Sequence, residues 1–463
     1  MSRHAGVSLL EGWLPLTAQL VAAVLLLVLA AWLLRRARPA RVAVVVVLAL
    51  VAAAAAVGWA WWSLRDQDLA TDPPPPGLWV WTGVGAAALV LLVVSGVRHG
   101  WSRRALAVVT AVLAVLCVGL QANEWVGYFP TVAEAWSQLS AGPLPDQVDP
   151  TALSGMRGTS RTAGVVVPIT SPDDISHFTH RTEYVYLPPA WFAPGTPALP
   201  ALMMIGGEFT SPTDWIRTGK AVDAADTYAR AHGGLAPILV FADSTGSFRN
   251  DTECVNGPRG DAATHLVDEL RPYVVTHFGA GAAPGRWGVV GWSTGGTCAV
   301  DLGVTAPQAF GTFEDIQGDL APNAGDPAQT LAELYGGNAA AEAAFDPATV
   351  LAHHAPYPDS AGWFADNPAT TTPRRAGTTP STTTADPRAG LGGRKDPAPA
   401  SMQGQQASEA RTLCAEASAR GISCTVHVSP GKHTWQFAHA AFVTALPWLA
   451  GRLGLPATAG AAV

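Results

Sequence analysis

The segment Gly291-Trp292-Ser293-Thr294-Gly295 places a serine between two glycines in the spacing G-x-S-x-G. Apolar β-forming residues precede it (Trp287, Val289, Val290) and small residues follow (Gly296, Thr297, Cys298, Ala299). A strand is therefore expected to enter a sharp turn and leave as a helix, the shape of a nucleophile elbow. The serine of such an elbow sits in strained backbone. A side chain two residues to either side would strike the neighbouring strand or helix, which the glycines avoid. The turn lifts the hydroxyl to a helix N-terminus, whose dipole favours developing negative charge. A hydroxyl needs a base before it can attack, and behind this elbow the chain order is serine, acid, histidine. His433, in SPGKHTWQF directly after the apolar run CTVHVSP, is placed to take the Ser293 proton and return it to a leaving group. His427 falls inside that run and His439 in the helix after it.

The orienting acid should end the strand AGWFAD, which makes Asp366 the first choice. A Thr/Pro/Ala/Gly-rich segment, 367–401, starts immediately after it. Asp396, at the far end of that segment, is the alternative if the segment loops out before the turn closes; Asp386 and Asp359 rank behind. Glu314, Asp315 and Asp319 follow the preceding strand and read as structural. An oxyanion needs two backbone N–H donors. Thr294 should give one; the other should come from IGGEFTSPTDW, near Glu208 or Phe209, where glycines let the backbone come close. No CxxC or HxxxH spacing points to a metal, and His177 and His180 in SHFTH read as exposed positions ahead of a strand.

These groups need a scaffold, and from about residue 160 the pattern supplies one. Short β-rich runs (GVVVPIT, RTEYVYLP, ALMMIGG, PILVFAD, RWGVVGW, GTFEDIQ, AGWFAD, CTVHVSP) mostly alternate with amphipathic stretches such as DAATHLVDELRPYVVTHF. That alternation predicts an α/β domain over 161–458 with a mostly parallel sheet covered on both faces. The first two runs have no long helix between them and should pair as an antiparallel hairpin at one edge. The segment 367–401 has almost no bulky apolar side chain to offset its ordering entropy, so it reads as a disordered surface insertion.

The first 125 residues differ from the rest, being mostly Ala, Val, Leu and Trp. Four uncharged apolar runs, about 13–34, 42–62, 78–97 and 105–122, are each long enough to cross a bilayer. Arg35, Arg36, Arg38 and Arg41 follow the first run, and Arg98, Arg103 and Arg104 follow the third. The second connection holds Arg65 against three aspartates. Arginine-rich loops stay in the cytoplasm, so a multi-pass cell-membrane protein with both termini outside is expected, residues 126–160 linking the spans to an extracytoplasmic domain. Trp59, Trp61, Trp62, Trp79 and Trp81 flank the outer loop as an interfacial belt would. Spans without charge argue against a transporter and for an anchor or partner-binding bundle. The formal net charge of −7, without a basic cluster beyond the spans and the insertion, gives nucleic-acid binding no support.

Five cysteines check the compartment. Cys117 lies inside the fourth span, whereas Cys254, Cys298, Cys414 and Cys424 lie in the second part, an even number that suits an oxidising environment. Cys414 and Cys424 bracket a short segment that a bridge could close, leaving Cys254 with Cys298. Four cysteines still allow three connectivities.

GWSTGG, GKHTW, GGEFTSPTDW and the DxxGD-like element from Asp315 to Asp319 together resemble the esterase-D-like branch of the α/β-hydrolases, which includes actinobacterial mycolyltransferases. The resemblance covers about 160–455, and the multi-span anchor resembles membrane-tethered members of that group. It implies a Ser–acid–His hydrolase or acyltransferase that uses no metal or cofactor. Ser293, His433 and Thr294 match the family pattern; the insertion at the acid and the acidic Glu208 in the oxyanion loop depart from it. The expected activity is a serine carboxylesterase acting on an acyl ester, a lipid or cell-envelope component. An acyltransferase to a sugar or lipid hydroxyl and a non-catalytic envelope scaffold are the alternatives.

Overall fold

Long uninterrupted apolar runs favour helices, because a helix satisfies its own backbone groups wherever water is absent. The computed structural model describes residues 6–35, 38–66, 74–98, 101–140, 142–368 and 402–456. Within them, four helices are long and apolar enough to cross a membrane: α1 (Trp13–Leu34), α2 (Pro39–Asp66), α3 (Pro76–Arg98) and α4 (Trp101–Val126). They run past the expected apolar runs at several ends, since polar flanks such as Trp101-Ser102-Arg103-Arg104 still favour helix. A short helix, α5 (Val132–Leu139), follows, and the chain then reaches the sheet. Val148 N–H bonds the Val166 carbonyl at 2.9 Å and Val166 N–H bonds the Asp146 carbonyl at 3.0 Å. The stretch after α5 thereby covers an otherwise open sheet edge.

Each β-rich run becomes a strand: β1 (Val165–Ile169), β2 (Glu183–Leu187), β3 (Ala201–Ile205), β4 (Ile238–Phe241), β5 (Trp287–Trp292), β6 (Thr312–Ile316), β7 (Ala361–Asp366) and β8 (Ser423–Val428). They form one sheet in the order β1-β2-β4-β3-β5-β6-β7-β8. β1 pairs antiparallel with β2, and β2 with β4; every later pairing is parallel. All residues of β3, β4, β5 and β6 are buried, which explains their lack of alternation in the sequence. Helices α6 (Ala221–Ala231), α7 (Thr294–Thr305), α8 (Met402–Ala419) and α9 (Trp435–Arg452) flank the sheet. Helix α7 packs on β5 and β6, α8 on β7 and β8, and α9 on α6 and the central strands. Trp215, Trp287, Trp435, Phe313 and Phe364 fill the core between these layers.

Disulfides join Cys254 to Cys298 and Cys414 to Cys424, and Cys117 is a buried thiol. Asn367, expected to open the insertion, is instead buried, and its side-chain amide donates to the Gly431 carbonyl at 3.3 Å. The rest of that segment, with Asp386 and Asp396, lies outside the described residues.

Candidate active site

Ser293 stands between the end of β5 and the start of α7 with φ 60° and ψ −127°, a conformation that L-residues rarely adopt. Its N–H is held by the Ile316 carbonyl at 2.9 Å, and its carbonyl accepts the Gly296 N–H at 2.7 Å. The flanking glycines are sterically required. A Cβ on Gly291 would strike the Gly295 carbonyl, and one on Gly295 would lie 2.5 Å from the Ile205 oxygen and 2.6 Å from that of Gly206. The elbow is thus wedged against the end of β3 and the loop that leaves it.

That loop passes directly over the serine. A Cβ on Gly207 would come within 2.9 Å of Ser293 Cβ, so the backbone of Gly207 can approach only as glycine. Thr210 Oγ1 donates to the Gly207 carbonyl at 2.6 Å, and Phe209 takes φ 58°. The loop's far end is held by Asp214, which accepts the Ser211 N–H at 2.6 Å and the Tyr128 hydroxyl at 2.5 Å. Thr294 opens α7, so its N–H has no partner within the helix and can face a ligand. Glu208, Phe209, Thr294, Ser293 and His433 all line one cavity of about 960 Å³.

His433 lies beside the ring of Trp292, centroids 5.3 Å apart. Burial disfavours the imidazolium and lowers its pKa to about 4, leaving a neutral base at neutral pH. Its Nδ1 has no hydrogen-bond partner among the described residues. Asp366 ends β7, is buried, and accepts the Asn367 N–H at 2.6 Å; burial raises its pKa to about 7. The Asn367–Gly431 bond ties this strand end to the loop carrying His433. Asp359 lies exposed at the opposite end of β7. Glu314 and Asp315 are buried within β6, where desolvation pushes both carboxyls well up, and Asp315 accepts the Gly318 N–H at 2.7 Å. Asp319 lines the cavity instead.

Two histidine expectations separate. His177 is exposed, but the His180 side chain is only 7% exposed, because strand β2 and the helical turn at His265 close over it. Its Nε2 bonds the Ser171 carbonyl at 3.1 Å, and His265 bridges Glu183 at 3.4 Å and Glu269 at 3.1 Å. His180, Glu183 and His265 could offer ligand atoms within 4.8 Å of one another, yet each already has protein partners, so the cluster works as a polar strut. Sequence reasoning missed the contribution of α4 and of Tyr128 to the cavity. The one signal was that only a few residues, Gln121 to Gly127, separate the end of α4's apolar run from Tyr128-Phe129.

A serine elbow at the carboxyl end of a central parallel strand, in a sheet with this strand order, defines an α/β-hydrolase. The chain belongs to the Esterase family (described as "Putative esterase"), whose profile matches residues 178–449. An uncharacterized protein of Corynebacterium glutamicum is 31% identical over 261 residues, which cover 55% of this chain; the chain spans 60% of the length of that curated relative. Solved structures similar to it include a ferulic acid esterase at 16% identity and TM-score 0.44, covering 63% of this chain and 99% of the other. An S-formylglutathione hydrolase from Agrobacterium tumefaciens gives 15%, 0.47, 64% and 98% for the same quantities. MPT51 of Mycobacterium tuberculosis gives 17%, 0.40, 62% and 99%.

Proposed function

We propose that this chain is a membrane-anchored serine esterase whose catalytic domain faces the extracytoplasmic side and cleaves a carboxylic ester through an acyl-enzyme on Ser293. The observation that carries the reading is the strained Ser293 backbone beneath Gly207, in a cavity that His433 also lines. In the reaction, His433 takes the hydroxyl proton as Ser293 Oγ attacks the ester carbonyl. The N–H groups of Thr294 and of Glu208 or Phe209 receive the oxyanion, and the protonated imidazole hands its proton to the departing alcohol. Water then repeats the sequence and frees the acid. Asp366 is the orienting carboxylate by its place at the end of β7, which Asn367 ties to the histidine loop. The even set of paired cysteines supports an oxidising side, and the arginine-rich connections after the first and third apolar runs support the orientation.

The test is turnover of p-nitrophenyl butyrate by the full-length protein in detergent. Ser293→Ala and His433→Ala should each lower kcat by at least about a thousandfold, as loss of a nucleophile or its base does elsewhere. Activity of either variant within tenfold of the parent overturns the assignment.

A further inference from the structure

The hydrolase domain does not build the Ser293 cavity alone. Leu64 near the end of α2, and Gly119, Ala122 and Val126 from the last turns of α4, belong to its wall, followed by Phe129. The candidate membrane spans of these two helices end at Leu64 and Val126, and Asn123 of the last turn also lines the cavity, so the cavity meets the bundle where its spans finish. The joint is fixed. Gln436, in the first turn of α9 after His433, donates to the Gly127 carbonyl at 2.7 Å, and Tyr128 holds Asp214 of the oxyanion loop. A Cβ on Gly127 would lie 2.8 Å from Thr434 Cβ, leaving no slack between the helix exit and the histidine loop.

The remaining wall mixes aromatic side chains, Phe209, Phe248, Trp292 and Trp435, with charged groups. Glu208, Asp251, Glu253, Asp319 and Glu333 face two guanidiniums, Arg249 and Arg259, and Arg259 is already paired with Glu333. Burial pushes the Asp251 carboxyl up and that of Glu253 well up, toward the neutral form that still hydrogen-bonds a hydroxyl, while Glu208, Asp319 and Glu333 oppose phosphate. The cavity, at about 960 Å³, is far larger than a small acyl ester fills. A water-soluble ester would use neither the apolar helix ends nor this volume.

We infer that the substrate is a bilayer-resident amphiphilic ester with an uncharged, hydroxyl-bearing head. Its acyl chain reaches Ser293 along the ends of α2 and α4, and its head lies among the carboxyls. This rests on Ser293 being the esterase nucleophile. The membrane helices are then part of the substrate site as well as an anchor.

Gly119 provides the test. It is exposed, lines the cavity, and a Cβ added there meets nothing within 4 Å, so a larger side chain projects into the acyl path without repacking the bundle. The full-length enzyme is placed in nanodiscs of an ether-linked phosphocholine lipid, which offers no ester. Hydrolysis of dioleoylglycerol, dioleoylphosphatidylglycerol and p-nitrophenyl acetate is measured. Dioleoylglycerol should be cleaved at least tenfold faster than the anionic lipid. Gly119→Phe should lower the ratio of kcat/KM for dioleoylglycerol to that for p-nitrophenyl acetate at least tenfold, with the unfolding midpoint reporting the fold. Gly119→Leu serves if the larger residue prevents folding. An unchanged ratio, equal cleavage of the anionic lipid, or cleavage of the acetate but not of dioleoylglycerol overturns the inference while the esterase stands. Acetate hydrolysis that survives Ser293→Ala removes the esterase reading itself.

Discussion

Ser293→Gly should inactivate the enzyme and yet stabilise it relative to Ser293→Ala. Both substitutions delete the hydroxyl, so both lose the reaction, but only alanine keeps a Cβ on a residue at φ 60°, ψ −127°. Strained backbone of this kind costs about 1–3 kcal/mol. Glycine relieves it and loses about 0.5–1 kcal/mol to the greater freedom of the unfolded chain. The difference leaves Ser293→Gly ahead by about 1 kcal/mol and by at most about 2.5 kcal/mol. For a domain of this size about 1 kcal/mol moves the midpoint by about 2–4 °C, so Ser293→Gly should unfold about 2–4 °C higher and at most about 10 °C higher. Scanning calorimetry or intrinsic tryptophan fluorescence in one detergent at one scan rate reads this directly. If Ser293→Gly unfolds at the same temperature as Ser293→Ala or below it, the elbow stores no strain and the argument from its geometry fails.

Because burial lowers His433 to about 4, the base is neutral far below the ordinary histidine range, whereas burial raises Asp366 to about 7, so kcat/KM should show an acid limb near 7 as the orienting carboxylate protonates and a second fall toward 4 as the base does. The His433 shift makes that residue's own contribution to folding stability full above about pH 6.5 and lost as pH falls from there toward 4, since the unfolded imidazole takes its proton first; an equal acid loss of stability in His433→Ala would contradict it. Asp366→Asn should lower kcat by about four orders of magnitude if Asp366 orients the imidazole, whereas near-parental activity with a loss in Asp396→Asn would move the role to the far end of the insertion. Replacing Cys254 and Cys298 by serine removes a closure across 44 residues, worth about 4 kcal/mol by chain entropy, against roughly 3 kcal/mol for the 10-residue separation of Cys414 and Cys424. Midpoints that rank the other way in denaturant unfolding would refute that ordering.

Much of the scaffold was readable because its signals are local. Each of the eight sheet strands is a short apolar run bounded by Gly, Pro or polar residues, and β3, β5 and β6 lack alternation because both their faces are covered. The elbow was legible from its G-x-S-x-G spacing, although only Gly291 answers to a collision inside the turn, with Gly295, while Gly295 and Gly296 are held to glycine by Ile205, Gly206, Asp315 and Gly318. What escaped depends on segments distant in the chain. His180 looks polar and exposed in SHFTH until Ser171 and the ring of His265, 4.4 Å away, enclose it. The hairpin of Asn256–Gly257 with Gly260–Asp261 is too short to leave a periodicity. Gly119 and Ala122 carry only the apolar signature of a span, and nothing local marks them as walls of a cavity that also holds Ser293. Tyr128 and Asp214 lie 86 positions apart, so their bond has no trace in spacing.

The most direct measurement is covalent labelling. The full-length protein is treated with a fluorophosphonate and the modified peptide is located by mass spectrometry. The account predicts a single adduct on Ser293, lost in Ser293→Ala and formed far more slowly in His433→Ala. An adduct on another serine, or labelling of Ser293 that is indifferent to His433, would contradict it.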